Sequence, residues 1–163
     1  MKLKMKDQLK EALRLAAELN PEARLVRIIG IGIHQDGSVH LDNPNDYESR
    51  WEYAFKDDGD GESPPVCLTV LYYHTGQRLV DQNAGNVPWD MEYFDEEIID
   101  DLKDSDDLAE LFADEDDFKP LSGSGSDVIL YIMRRALDPV VMINNWKGQH
   151  LQLDPISAEV LDL

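Results

Sequence analysis

The chain has 163 residues, 42% of them hydrophobic, enough for a packed core and for about one ordinary domain. Its 34 acids stand against 15 lysines and arginines, for a net charge of −19. A surface of that sign repels phosphate backbones and anionic lipid, so nucleic acid and membranes are excluded as partners, and cations, basic proteins and neutral ligands remain.

Cys67 is the single cysteine, which rules out an intrachain disulfide and a cysteine zinc cluster. The N-terminal stretch starts basic, as a leader would, but Lys10, Glu11, Arg14 and Glu18 interrupt the apolar run a leader needs. No stretch reaches the length of a membrane span. The expected location is the cytoplasm, where a lone thiol stays reduced.

In chain order, residues 6–19 predict an amphipathic helix, with Leu9, Ala12, Leu13 and Ala16 on one face and Asn20-Pro21 as its stop. Arg24–Ile33 is apolar and β-branched and predicts a strand. Gly30 and Gly32 inside it point to a bulge or to a neighbour packed close. Asp36-Gly37 is a turn signal, and Ser38–Leu41 is the expected return strand of that hairpin. Residues 51–55, WEYAF, alternate strictly, which places Trp51, Tyr53 and Phe55 on one side of a half-buried strand facing helix 6–19. Val66–Tyr73 predicts another strand, Thr75-Gly76 a turn, and Gln77–Val80 a short extended piece.

Residues 95–117 hold thirteen acids and one base, Lys103, a net charge of −12. Ile98, Ile99, Leu102, Leu108, Leu111 and Phe112 recur among them at near-helical spacing, so one or two short helices with an acidic outer face are expected. Pro120 and the SGSGS run (122–126) read as a flexible joint. Ser124 and Asp127 have the spacing of a capping box. With the stripe Val128, Ile129, Ile132, Met133, Ala136 they predict a helix over Gly125–Ala136, ended by Asp138-Pro139. Val140–Trp146 and Gln149–Leu153 predict a closing hairpin, with the tail Ala158–Leu163 added at its edge.

The fold class these elements predict is α+β: helices packed on one face of a small antiparallel sheet, in a single domain over 1–163. Sub-units 1–85 and 120–163 would be joined by the acidic helical segment 90–119. PEARLVRI (21–28), WEYAF (51–55) and LTVLYYHTGQRLV (68–80), after an N-terminal helix, resemble a PepSY-type domain over residues 6–80. LQLDPISAEVL (151–161) echoes the last of these strands, so the resemblance extends to a degenerate second copy over 125–161 built on helix 125–136. The resemblance implies a non-catalytic inhibitory or interaction module.

Catalytic and metal motifs are missing. The DDGDGE run (57–62) suggests a calcium loop, but with Gly61 at the sixth position the first and twelfth ligand positions fall on Lys56 and Cys67. His34, His40, His74 and His150 are scattered, and only His34 and His40 could meet, across the expected hairpin. SGSGS has Gly125 where a nucleophile elbow needs serine, and no phosphate-binding lysine follows it. No catalytic residue, metal or cofactor is assigned. The expected function is a non-enzymatic acidic binding or regulatory module, an inhibitor or immunity-type protein for a basic partner. Its candidate contacts are Trp89, Tyr93, Asp100, Asp101, Asp104 and Asp107. A small-ligand domain using the aromatic face is the alternative, an enzyme of another kind the third, and acidity that serves only solubility the competing explanation for the charge.

Overall fold

A computed structural model of the chain describes residues 2–34, 36–40, 50–57, 66–73, 78–81, 92–113, 128–135, 138–145, 150–157 and 159–161. Its elements are β1 (Lys2–Leu3), α1 (Met5–Leu19), β2 (Arg24–Ile31), β3 (Val39–His40), β4 (Arg50–Asp57), β5 (Val66–Tyr73), β6 (Arg78–Asp81), α2 (Glu96–Asp101), α3 (Ser105–Ala113), β7 (Val128–Arg135), β8 (Asp138–Asn145) and β9 (His150–Leu153). Seven strands form one antiparallel sheet in the order β6-β5-β4-β2-β7-β8-β9, and β1 pairs with β3 in a separate ribbon. The architecture is α+β, with strands from both ends of the chain in the same sheet.

The alternation of WEYAF translates directly into packing. Trp51, Tyr53 and Phe55 are at most 1% exposed and share one core with Met5, Leu9, Ala12, Leu15 and Ala16 of α1. Their polar atoms are met from β1 and the first residue of that helix: Trp51 Nε1–H donates to the Leu3 carbonyl at 2.8 Å, and the Tyr53 hydroxyl to the Met5 carbonyl at 2.5 Å. Phe94, Leu102, Leu108 and Ala109 join the same core, so the acidic segment lies on the helix side of the sheet. Gly30 stands opposite Trp51 in the β2–β4 register, where a Cβ would come within 2.4 Å of the indole ring. The glycine is there for that close approach. Beyond it Gly32 takes a positive φ of 76° and ends the strand.

Three expectations are corrected. Val39–His40 does not return along Arg24–Ile33, because both edges of β2 are taken, by β4 and by β7; it pairs instead with Lys2–Leu3. The stretch expected as helix 125–136 is strand over Val128–Arg135, hydrogen-bonded to β2 on one side and β8 on the other. VILYIM is a short run rich in β-branched and aromatic residues, whose period cannot separate buried strand from buried helix; pairing on both edges decides it. Asp138-Pro139, expected as a helix stop, opens β8. A second copy built on a helix over 125–136 therefore lacks that helix. The tail behaves as expected: Val160 bridges to Leu153, and Leu161 N–H donates to the Gln152 carbonyl at 2.9 Å. The calcium-like run beyond Asp57 and the SGSGS joint lie outside the described residues. No helix among the described residues is long and apolar enough to cross a membrane.

Candidate functional site: the acidic strap and the groove beside helix α1

The acidic segment crosses the helix side of the sheet as a strap fastened at three points. At its start, Phe94 is buried and its N–H donates to the Leu25 carbonyl at 2.8 Å. Between α2 and α3, Leu102 is buried and the Lys103 N–H donates to the Pro155 carbonyl at 2.7 Å. At the third point the N-termini of α1 and α3 meet. Ser105, fully buried, accepts the Met5 N–H on its hydroxyl at 2.9 Å, and the Asp104 carboxylate accepts the N–H groups of Lys6 at 3.0 Å and Ser105 at 2.7 Å. A helix start leaves its first N–H groups without intrahelical partners and carries a partial positive charge. One carboxylate thus serves two helix starts. Asp7 completes the junction by accepting the Lys4 N–H at 2.8 Å.

Lys4 Nζ also reaches Asp106 at 2.6 Å. The lysine's hydrogen bond holds the Asp106 carboxyl below the usual carboxylate range, and the same bond raises the Lys4 ammonium. A depressed carboxyl stabilises the fold above its unfolded pKa of about 4, and that contribution disappears as pH falls through the folded value. A raised lysine contributes fully below its unfolded pKa of about 10.4 and loses the contribution as pH rises through its folded value. The stability difference between wild type and Asp106→Asn should therefore be largest across the neutral range and shrink towards zero below about pH 4. Urea titrations at a series of pH values check this; a difference that persists unchanged into strong acid would rule out the ion pair as its source.

The candidate residues fall into different surroundings. Asp100, Asp101 and Asp107 are exposed on the strap, together with Glu97 and Glu110. Asp104 is committed to the helix junction and is not a free surface charge. Tyr93 passes to the other face of the sheet, against Val26 and Ala54, with its ring flanked by Arg24 at 4.9 Å and Lys56 at 5.2 Å. Arg24 and Lys56 are directly opposite in the β2–β4 register, and the ring's negative face between two like charges eases their repulsion. Tyr93 is thus half-buried scaffold. Trp89 lies outside the described residues. Trp51, Tyr53 and Phe55, being enclosed, present no stacking platform. No cluster of three or more His, Cys, Asp or Glu side chains suited to a metal occurs among the described residues.

One feature of the surface is not visible in any local motif. Helix α2 has no fully buried residue and lies beside α1, with Ile98 and Ile99 packed half-buried against the core. Three adjoining clefts of about 380, 370 and 400 Å³ run between them, all sharing Leu13 and Ile99 as walls. Leu9 and Ala17 extend the apolar lining along α1, and Ala23 and Phe94 extend it towards the sheet. Glu22, Glu96 and Asp100 border it, as do Lys6, Lys10 and Arg24. Spacing on α1 marks Leu13 as a face residue, but it gives no sign that Ile99 forms the opposite wall of the groove.

Comparison with known proteins found no matching family model, no matching curated protein and no matching solved structure.

Proposed function

We propose that the chain is a non-enzymatic binding or regulatory module that holds a basic protein partner on the acidic strap, as an inhibitor or immunity-type protein does. The supporting observation is that the strap is fastened from beneath while its acids point outward. Phe94, Leu102, Ser105 and Leu108 are buried, whereas Glu97, Asp100, Asp101, Asp107 and Glu110 are exposed. Charges held on a fixed scaffold steer a basic partner and lose little ordering entropy on binding. Acids serving solubility alone would act as well spread evenly, with less mutual repulsion. The PepSY-type resemblance of residues 6–80 supports the same non-catalytic role, and a lone cysteine suits action in the cytoplasm.

The test neutralises only the uncommitted carboxylates. The triple variant Asp100→Asn, Asp101→Asn, Asp107→Asn leaves Asp104 in place, because that carboxylate joins the two helix starts. A basic protein retained in stoichiometric amount from a host lysate should associate with the triple variant about tenfold more slowly than with wild type. Wild-type association should itself slow as salt is raised. A partner that associates with the triple variant at the wild-type rate overturns the proposal.

A further inference from the structure

We propose that the groove between α1 and α2 is the seat of a basic amphipathic segment of the partner, which inserts apolar side chains between Leu13 and Ile99 and sets its lysines or arginines against the bordering carboxylates. The inference rests on the binding reading above and adds to it where the partner sits and what kind of segment does the sitting.

The shape favours a chain segment over a compact small molecule. Leu9, Leu13 and Ala17 recur at four-residue intervals along α1 and span about 12 Å at 1.5 Å per residue. That length matches the i, i+4, i+7 anchors of a docked helix, which span about 10 Å. The clefts share walls and form one open trough along the helix. The strap does not fill it: Ile99, which walls all three clefts, is only half-buried, although the strap is fastened on either side of α2.

Charge selects the sign of the occupant. Of the bordering cations, Arg24 is engaged with Asp95 at 3.5 Å and stacked over Tyr93, and Lys6 Nζ donates to the Asp100 carbonyl. The carboxylates of Glu22, Glu96 and Asp100 make no hydrogen bond or ion pair among the described residues. Glu97 and Asp101 are exposed on the same helix α2. The Lys6 bond goes to a neutral carbonyl and leaves its charge in place, so three uncommitted carboxylates stand against Lys6 and Lys10, and the trough walled by Leu9, Leu13, Ala17 and Ile99 keeps a net negative border, the complement of a segment with an apolar stripe and basic flanks.

The experiment uses the full-length protein and two synthetic peptides of about eighteen residues. One carries leucines at i, i+3, i+4, i+7 spacing with lysines elsewhere; the other has the same lysines with serine in place of each leucine. Binding is followed by fluorescence anisotropy against wild type, Leu13→Ser, Ala17→Trp and the pair Glu96→Gln, Asp100→Asn. Ala17 is exposed, so its substitution blocks the trough without opening the core, and a thermal melt verifies that each variant is folded. The leucine–lysine peptide should bind wild type at least about tenfold tighter than the serine–lysine peptide. Leu13→Ser and Ala17→Trp should each remove that advantage, and the carboxylate pair should weaken both peptides. Equal binding of the two peptides, or wild-type affinity of Ala17→Trp for the leucine–lysine peptide, overturns the groove. If binding then still falls in the triple aspartate variant, the strap alone is the docking surface and the broader function survives. If neither peptide binds, the groove proposal fails. Self-association of the wild type that Ala17→Trp abolishes would assign the trough to a second copy of the chain and overturn the proposal.

Discussion

Phe55→Ala should lower the stability of the protein by about 3–5 kcal/mol, the range expected for removing a fully enclosed aromatic ring from a core. Phe55 is 1% exposed. It sits opposite Leu25 on β2 and Leu68 on β5, each also 1% exposed, in the core that α1 covers. Strands on both sides of β4 fix the backbone around the ring, so the site cannot collapse easily and the cavity term is near its full size. Domains of ordinary size hold about 5–15 kcal/mol in total, so this one truncation removes a large fraction. The midpoint of urea unfolding should fall accordingly, with the slope of the transition little changed. A loss below about 1 kcal/mol would mean that the β4 side chains do not face α1 as described. Because Phe55 also borders the cleft nearest the sheet and its loss disturbs the core, the variant is a poor probe of binding, and Leu13 and Ala17 are better ones.

The helix 5–19 and the strands at 51–55 and 66–73 were legible in the sequence because each carries its own periodic signal, reinforced by Asn20-Pro21 or by strict alternation. Their mutual packing followed, since one aromatic face and one apolar helix stripe needed covering. Residues 128–135 were not legible as strand. Their apolar side chains satisfy the helical spacing as well as the strand one, and what decides between them is that β2 and β8 offer hydrogen-bonding edges on either side. The same competition for edges misassigned Val39–His40. The chain does turn at Asp36-Gly37, but the adjacent strand has no free edge to accept the return. At the candidate site, the acidic character of 95–113 was plain from composition, whereas the roles of its acids were not. Asp104 and Asp107 look alike in sequence, yet one joins two helix starts and the other faces water. That division depends on Lys6 lying nearly a hundred residues away, as the groove depends on Leu13 and Ile99 standing as its two walls.

Gly37→Ala should cost about 2–5 kcal/mol and should act at a distance on the acidic strap. Gly37 has a φ of 79°, where a side chain is disfavoured by roughly 1–2 kcal/mol. Its missing Cβ also leaves room for the start of α3: a methyl there would lie 2.3 Å from the Ser105 carbonyl oxygen and 2.4 Å from the Asp106 nitrogen. Both obstacles are backbone, so no rotamer change relieves them, and overpacking of this kind costs about 1–3 kcal/mol more. The turn itself is held by the Gly37 N–H donating to the His34 carbonyl at 2.9 Å and by the Asp36 carboxylate accepting the Ser38 N–H at 3.0 Å. The easier displacement is therefore of α3 away from the turn. Moving α3 withdraws the Ser105 hydroxyl and the Asp104 carboxylate from the start of α1 and exposes the Met5 and Lys6 N–H groups. Hydrogen exchange should show this as lost protection at those two amides, with the β4 and β5 amides still protected. Association with a basic partner should slow in the same variant, although no acid has been removed, because the carboxylates of α3 are no longer held in one place. If the variant keeps wild-type stability and full protection at Met5 and Lys6, the turn and the strap are not in contact, and the fixed scaffold on which the acidic surface depends is lost.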